Sequence, residues 1–376
     1  MAPPPAVPPA PAAAPAAPMP KFVFGGLVDT YYLYNFTRPD GDNSLQFPQG
    51  PAVGRAFDVN ANSLSLALAK LTMNASLDVV SLQIDMGYGG TGTIINNAND
   101  NTAGSAGPLP GVNASGSVNP SFLLEQAYGE ISLPANLTLD FGKFTTTAGA
   151  EVIEANKNWL YSRSLLFNII PLLHTGVRAN LKINDMVTVQ ASVVNGWNND
   201  PDLNAWKTVG LSASITASPA LSLIATTYFG KEGQPQGATG PTPGDFRFLL
   251  DIVAAYTVNS NFGLNLNIDY IKAFDDVSGD YQVGGALMGR YVISDHLNFA
   301  ARGEFLASHI DAAGSTAKQG EGTVMLGIDV GKNFELRPEV RGDFAGEVNG
   351  AHILEGGGAN GKSEAITGEI AALTWF

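Results

Sequence analysis

From Phe22 to the end of the chain, apolar residues recur at every second position, the period that gives a strand one face in each of two environments. Residues 63–71 read Ser-Leu-Ser-Leu-Ala-Leu-Ala-Lys-Leu, which puts Leu64, Leu66 and Leu68 on one face and Ser65, Ala67 and Ala69 on the other. Phe262, Leu264, Leu266, Ile268 and Tyr270 stand likewise opposite Asn265, Asn267 and Asp269. In 334–344 the outward set is Phe334, Leu336, Val340 and Phe344, while Glu335, Arg337, Glu339, Arg341 and Asp343 share the opposite face. Such a row of charges cannot face hydrocarbon, but it can line water. The pattern predicts strands with an apolar outer face and a polar inner one.

Punctuation between these segments alternates in length. Tight turns near Asn74-Ala75, Pro134-Ala135, Asn184-Asp185, Ser218-Pro219, Asn259-Ser260, Ser294-Asp295 and Lys332-Asn333 join seven hairpins. Longer connections rich in Gly, Asn, Asp and Pro occupy 38–55, 90–120, 148–170, 230–244 and 346–363. Adding a first strand over 22–35 and a last over 365–376 gives sixteen strands, with fourteen and eighteen as the alternatives. Short turns on one rim and long loops on the other is the transmembrane-barrel arrangement, with the short rim periplasmic. About eight strands would be filled by their own side chains, whereas sixteen leave an aqueous channel.

Composition agrees. The chain is 45% hydrophobic and only 14% charged, with 43 glycines, where a soluble domain carries about a quarter charged residues. No apolar run approaches the ~18 residues of a spanning helix. Strands in lipid must satisfy every backbone amide and carbonyl internally, so the expected fold is all-β: a closed, antiparallel, up-and-down transmembrane β-barrel over 21–376. Residues 1–20 form a separate Pro/Ala-rich extension, since 2–20 contain Ala, Pro, Val and Met and favour an extended polyproline-like state. A disordered periplasmic segment and a tether to the cell wall both stay open for it. No basic region leads into an apolar core after Met1, and the expectation is that a secretory leader has been removed. The absence of cysteine excludes disulfides, thiolate metal sites and attached c-type haem, and a net charge of −14 argues against nucleic acid as a partner.

The inward parity collects the candidate functional groups. Arg178, Asn180 and Lys182 fall inside, as do Arg247 with Asp251, Arg290, and Arg302 with Glu304. Together with Arg337 and Arg341 they form a ladder facing Glu335, Glu339, Glu369 and Asp140, a fixed-charge wall of the kind that tunes ion entry. An arginine is expected to be tolerated at Asn267 but not at Leu266. Residues 148–170 break the alternation and mix Glu151, Glu154, Lys157, Trp159, Tyr161 and Arg163. Tyr31, Tyr32, Tyr34, Trp197, Tyr228, Phe229, Tyr270, Phe274 and Trp375 fall toward strand ends, as interfacial girdles do.

Catalytic groups do not assemble. His174, His296, His309 and His352 lack metal-ligand spacing, and Ser308-His309 are neighbours that a strand sends to opposite faces. His174 is expected at the lumen or rim beside Arg178. Gly87-Tyr88-Gly89-Gly90 and Gly356-Gly357-Gly358 read as loop hinges rather than phosphate cradles, because neither is expected to open a helix. Asp40, Asp42 and Asp100 read as solvated loop carboxylates rather than a calcium site.

The chain closes Leu373-Thr374-Trp375-Phe376, with Ile366, Ile370, Thr374 and Phe376 on one parity. This resembles the last strand of bacterial outer-membrane barrels, which implies recognition of Phe376 by the barrel assembly machinery. Tyr161-Ser162-Arg163-Ser164, Phe167, Pro171 and His174-Thr175-Gly176-Val177-Arg178 resemble the second family of outer-membrane β-barrel porins, as do Gly26-Leu27-Val28-Asp29-Thr30-Tyr31-Tyr32 and Phe141-Gly142-Lys143-Phe144. The resemblance covers 22–376. It implies a general-porin-like barrel in which the loop after the fifth strand folds into the lumen, placing Glu151, Glu154 and Lys157 across the channel from Arg178, Arg302, Arg337 and Arg341. Packing of that loop over the extracellular mouth is the alternative.

The expected function is passive diffusion of small hydrophilic solutes or ions across the bacterial outer membrane, with no chemical step, cofactor or metal. Lipid and lipopolysaccharide are the surrounding partners. A homotrimer is placed ahead of a monomer, with Gly284-Gly285-Ala286 and Ala371-Ala372 permitting subunit contact. The alternatives are a structural barrel tethering the membrane through 2–20, a sheath for a separate cytochrome, and a barrel enzyme.

Overall fold

The period-two alternation becomes strands in the computed structural model, which describes residues 19–37, 54–99, 121–202, 204–232, 245–274, 280–310, 314–346 and 363–376. The strands are β1 Lys21–Asn35, β2 Ser63–Leu77, β3 Val80–Tyr88, β4 Phe122–Leu133, β5 Leu137–Thr145, β6 Leu173–Lys182, β7 Val187–Val194 and β8 Thr208–Ser218. They continue as β9 Leu221–Glu232, β10 Asp245–Asn259, β11 Phe262–Phe274, β12 Tyr281–Ser294, β13 Leu297–Ile310, β14 Ser315–Asp329, β15 Phe334–Ala345 and β16 Glu364–Trp375. Each strand pairs antiparallel with its chain neighbours, and β1 pairs with β16, so sixteen strands close a barrel without an edge. At the seam Gly26 and Phe376 exchange backbone hydrogen bonds of 3.2 and 3.1 Å. Residues 1–18, the tips of the long loops, Asp40, Asp42, Asp100, His352 and Gly356 to Gly358 lie outside the described residues.

Leu71, Val177, Leu287 and Ile370 stand exposed on the outer wall, where an apolar band meets lipid. The inner side carries the core. Tyr31, Leu33, Leu160, Tyr161, Met288, Met325 and Leu373 pack together between the wall and the segment linking β5 to β6. The barrel interior is therefore partly filled rather than a plain tube.

Several expectations change for local reasons. Asn74 and Ala75 remain in the ladder opposite Gln83 and Leu82, and the first turn falls at Asp78, whose φ of 54° suits a tight reversal. The β1–β2 register slips between Asp29 and Thr30, leaving Ala67 as an extra residue. Beyond that bulge Leu68 turns inward, and so does Lys70, which strict alternation would have sent to lipid. Tyr31 and Tyr228 are inward and buried rather than interfacial, and Trp197 lies in the interior under Arg247. Gly90 does open a helix, α1 Gly90–Asn99, which docks Ile95 into the interior cluster. Gly284 and Ala286 face inward, where Leu166 would lie 2.6 Å from a side chain on Gly284. They make room for the crossing segment, not for a neighbouring subunit; Ala371 is likewise buried inside.

Candidate functional site

The segment 146–172 leaves the top of β5 and returns to β6, its ends joined by Thr146 N–H donating to the Leu172 carbonyl at 2.9 Å. Between these ends it crosses the barrel. Its composition explains why: it has little regular structure, two short 3-10 turns at Ala155–Lys157 and Leu166–Asn168, and so exposes many backbone groups that need partners. The charged inner wall supplies them.

Arg302 donates from Nη1 to Glu151 at 2.9 Å and to the Ser162 carbonyl at 2.8 Å, and from Nε to Glu321 at 2.6 Å. Arg337 Nη1 donates to the carbonyls of Ala155 at 2.7 Å and Asn158 at 3.1 Å, and its guanidinium is braced by Glu335 at 2.8 Å. Arg341 Nη1 reaches the Arg163 carbonyl at 2.6 Å while Asp343 holds its other edge at 2.6 Å. Carboxylates receive the amides: Glu339 accepts from Tyr161 N–H at 2.8 Å and Ser162 N–H at 3.1 Å, and Glu304 accepts from Leu165 N–H at 2.5 Å. Tyr161 completes the clamp by donating its hydroxyl to Asp29 at 2.9 Å. Burial keeps that phenol well above its ordinary pKa, so it remains a donor. Ionic groups this deep persist because each is paired and hydrogen-bonded.

A second clamp holds the other edge. Lys70 Nζ lies 2.7 Å from Glu154, 2.7 Å from Glu125 and 3.1 Å from Asp85, and Lys157 also reaches Glu154 at 2.7 Å. Burial alone would raise the Glu154 carboxyl, but Lys70 and Lys157 hold it down at about 2. Asp85, Glu125 and Glu154 present oxygens within 4.8 Å of one another, and the Lys70 ammonium occupies the place that a cation would take. Glu125 arrives there through a register shift at Asp85/Met86 that adds one residue to β4. Above the clamp, Arg55 pairs with Asp58 and with Asp343, the latter at 3.3 Å. Burial opposes ionisation of Asp58, yet Arg55 and Arg341 keep it below the usual carboxylate value.

Of the residues singled out in the sequence, Glu151, Arg302, Glu335, Arg337, Glu339 and Arg341 converge on one clamp. The arginines are sealed, with side-chain exposures of 0% for Arg302, 5% for Arg337 and 1% for Arg341. Glu151 does not stand across open water from Arg302; it touches it. Glu154 meets Lys70 instead of an arginine, and Arg178 pairs with Asp140 at 2.7 Å under the Phe144 ring. Arg290 is half-buried on β12, apart from the clamp. His174 is buried rather than on a wet rim, stacked 4.5 Å from Tyr228 with Nδ1 3.0 Å from the Gly196 carbonyl. Asn267 faces inward but lies under the segment, accepting from Ala150 N–H at 3.0 Å.

Asp29, Lys70, Asp85 and Glu125 were missed. A lysine on the nominally lipid face of β2 was the available signal.

What the crossing segment leaves open is a cavity of about 410 Å³ against the wall of β4 to β9, lined by Gln126, Thr145, Asn180, Thr188, Gln190, Ser212 and Ser214. Among the described residues the three arginines are sealed, and the wall side of the cavity is lined by hydroxyls and amides.

A family model described as "Putative beta-barrel porin-2, OmpL-like" matches residues 21–374. No curated protein matches the chain. Among solved structures, the outer membrane channel DcaP of Acinetobacter baumannii is similar at a TM-score of 0.60 and 13% identity, over 96% of this chain and 100% of that one. The anion-selective porin from Comamonas acidovorans gives 0.59 and 11%, over 95% and 100%. OmpT of Vibrio cholerae in its trimer form gives 0.57 and 12%, over 95% and 99%. At these identities the likeness is one of fold.

Proposed function

The chain belongs to the beta-barrel porin-2, OmpL-like family of bacterial outer-membrane barrels, and on that premise we propose that it lets small hydrophilic solutes diffuse passively down their gradients. The observation that carries this is the cavity of about 410 Å³ left between the crossing segment and a polar wall inside a sixteen-stranded barrel. Pore width is set by where 146–172 is held. Arg302, Arg337, Arg341, Glu151, Glu335 and Glu339 act as the clamp that fixes the constriction. Arg178 with Asp140 stands at its edge, while Arg290 and His174 stay outside it. No bond is made or broken in such a mechanism. A cytochrome sheath is disfavoured because the segment occupies the interior that a second protein would need.

The exposed, seam-closing Phe376 supports recognition by the assembly machinery. A homotrimer, the form of the Vibrio cholerae OmpT neighbour, fits an apolar cleft on the outer wall bounded by Tyr32, Tyr34, Phe36, Phe299, Pro338 and Ile370.

Planar-bilayer recording of the purified full chain tests the channel. Stable open steps in KCl are expected, and silence from folded protein would remove the diffusion function and return weight to a structural barrel.

A further inference from the structure

Three consecutive strands, β7, β8 and β9, contain no charged residue except Lys231 and Glu232 at the mouth end of β9. Their inward positions are mostly hydroxyls and amides, among them Thr188, Gln190, Ser212 and Ser214. The opposite wall has the reverse character, but its guanidinium groups are spent on the crossing segment and shielded from the lumen. Fixed charge is thus absent from three strands of the open side and occluded on the opposite wall, while on β5 and β6 Asp140 and Arg178 are paired with each other at 2.7 Å.

The groups that border the cavity from the segment are also ion-paired. Glu151 is held by Arg302 and Glu154 by Lys70, and both carboxylates are buried. Lys157, whose side chain is 61% exposed, is paired with Glu154 at 2.7 Å. An ion entering the chamber meets no unpaired partner among these bordering groups. A neutral solute meets many donors and acceptors, since each hydroxyl and carboxamide can do both. Phe167, Leu172 and Ile224 add apolar surface to the same lining, which suits the C–H face of a ring that carries hydroxyls on its edge. A volume of about 410 Å³ also falls within the range of small-molecule sites, about 300–1,000 Å³.

We infer that this chamber is a transit site for uncharged, hydroxyl-rich solutes of mono- to disaccharide size. The inference rests on the barrel being an open diffusion channel. Water bound to the wall is exchanged for solute hydroxyls one hydrogen bond at a time, so passage needs no strong site and no fixed charge.

The test uses the full chain in planar bilayers, with KCl as the current carrier and glucose, maltose, gluconate or glucosamine added in turn. Glucose and maltose are expected to reduce the open-channel current at lower concentration than the two charged analogues. In Thr188→Val with Ser214→Ala the half-blocking sugar concentration should rise about tenfold, the loss of one to two hydrogen bonds, while KCl steps persist. Because these swaps conserve shape on a strand, folding is expected to survive; the KCl steps themselves report it. Stronger block by gluconate or glucosamine than by glucose overturns the inference while leaving the channel intact, as does an unchanged sugar response in the variant. Absence of KCl current from the folded wild-type chain overturns both the channel and the sugar site.

Discussion

Arg302 on β13 and Glu151 on the crossing segment meet at 2.9 Å with both side chains sealed from solvent. One guanidinium therefore joins wall to constriction, and the same group is locked on the wall by Glu321 at 2.6 Å. Removing one partner of such a buried pair strands a charge, at a cost of ~3–5 kcal/mol. Arg302→Ala should lower the urea midpoint of the folded protein accordingly and raise single-channel conductance through release of the segment. A variant with wild-type midpoint and conductance would show that the pair does not hold the constriction.

Face assignment is tested by Leu266→Arg against Ser214→Arg. Leu266 is exposed on the outer wall, so a charge there should cost ~2–4 kcal/mol if it sits near the bilayer midplane. Ser214 borders the cavity, so its arginine variant should fold normally and conduct less. Asn267, though polar in parity, is the wrong control, since it is buried and bonded to Ala150. Equal folding yields of the two variants on refolding into detergent would mean that inside and outside are misassigned.

The sixteen strands, the short-turn rim and the inward row from Glu335 to Asp343 were all legible in the sequence, because a period of two is a local property. The inward turn of Leu68 and Lys70 was not, because it depends on a one-residue slip set by pairing with β1. Nor was the sealing of the arginines: alternation says which wall a side chain faces, but not what lies against it. Tyr31 looked interfacial for the same reason, with Tyr161, its packing partner at 5.9 Å, lying 130 positions on.

The Lys70–Glu154–Lys157 clamp predicts an acid threshold. Glu154 has a carboxyl held at about 2, below its ordinary value, so its contribution is full above the ordinary carboxylate range and disappears as pH falls through about 2. Conductance steps should change as pH falls through about 2 as far as the Glu154 carboxylate governs them. Glu154→Gln should show, already at neutral pH, the larger or noisier steps that are expected of the wild type in strong acid. Identical steps in the variant and the wild type at neutral pH would remove the clamp from the mechanism.

Gly142 explains one motif in backbone terms. Its φ of 132° and the Ala127 carbonyl oxygen 2.3 Å from where a Cβ would stand leave no room for a side chain. Gly142→Ala should destabilise the barrel by about 1–3 kcal/mol and lower its thermal midpoint, whereas Gly303→Ala, with nothing within 4 Å of its Cβ site, should leave the stability within about half a kcal/mol of wild type. Matching midpoints for the two would mean that β5 can relax around the methyl.

The crossing segment has a consequence for the order of assembly. Tyr161 and Glu339 are 178 positions apart, and Arg302 lies 140 beyond Ser162. The segment is synthesised long before the β13 and β15 side chains that grip it. Asp29 and Lys70 can hold it early, through Tyr161 and Glu154, but Arg302, Arg337 and Arg341 reach it only once β13 and β15 are in place. Narrowing of the passage is a late event that reports a completed wall.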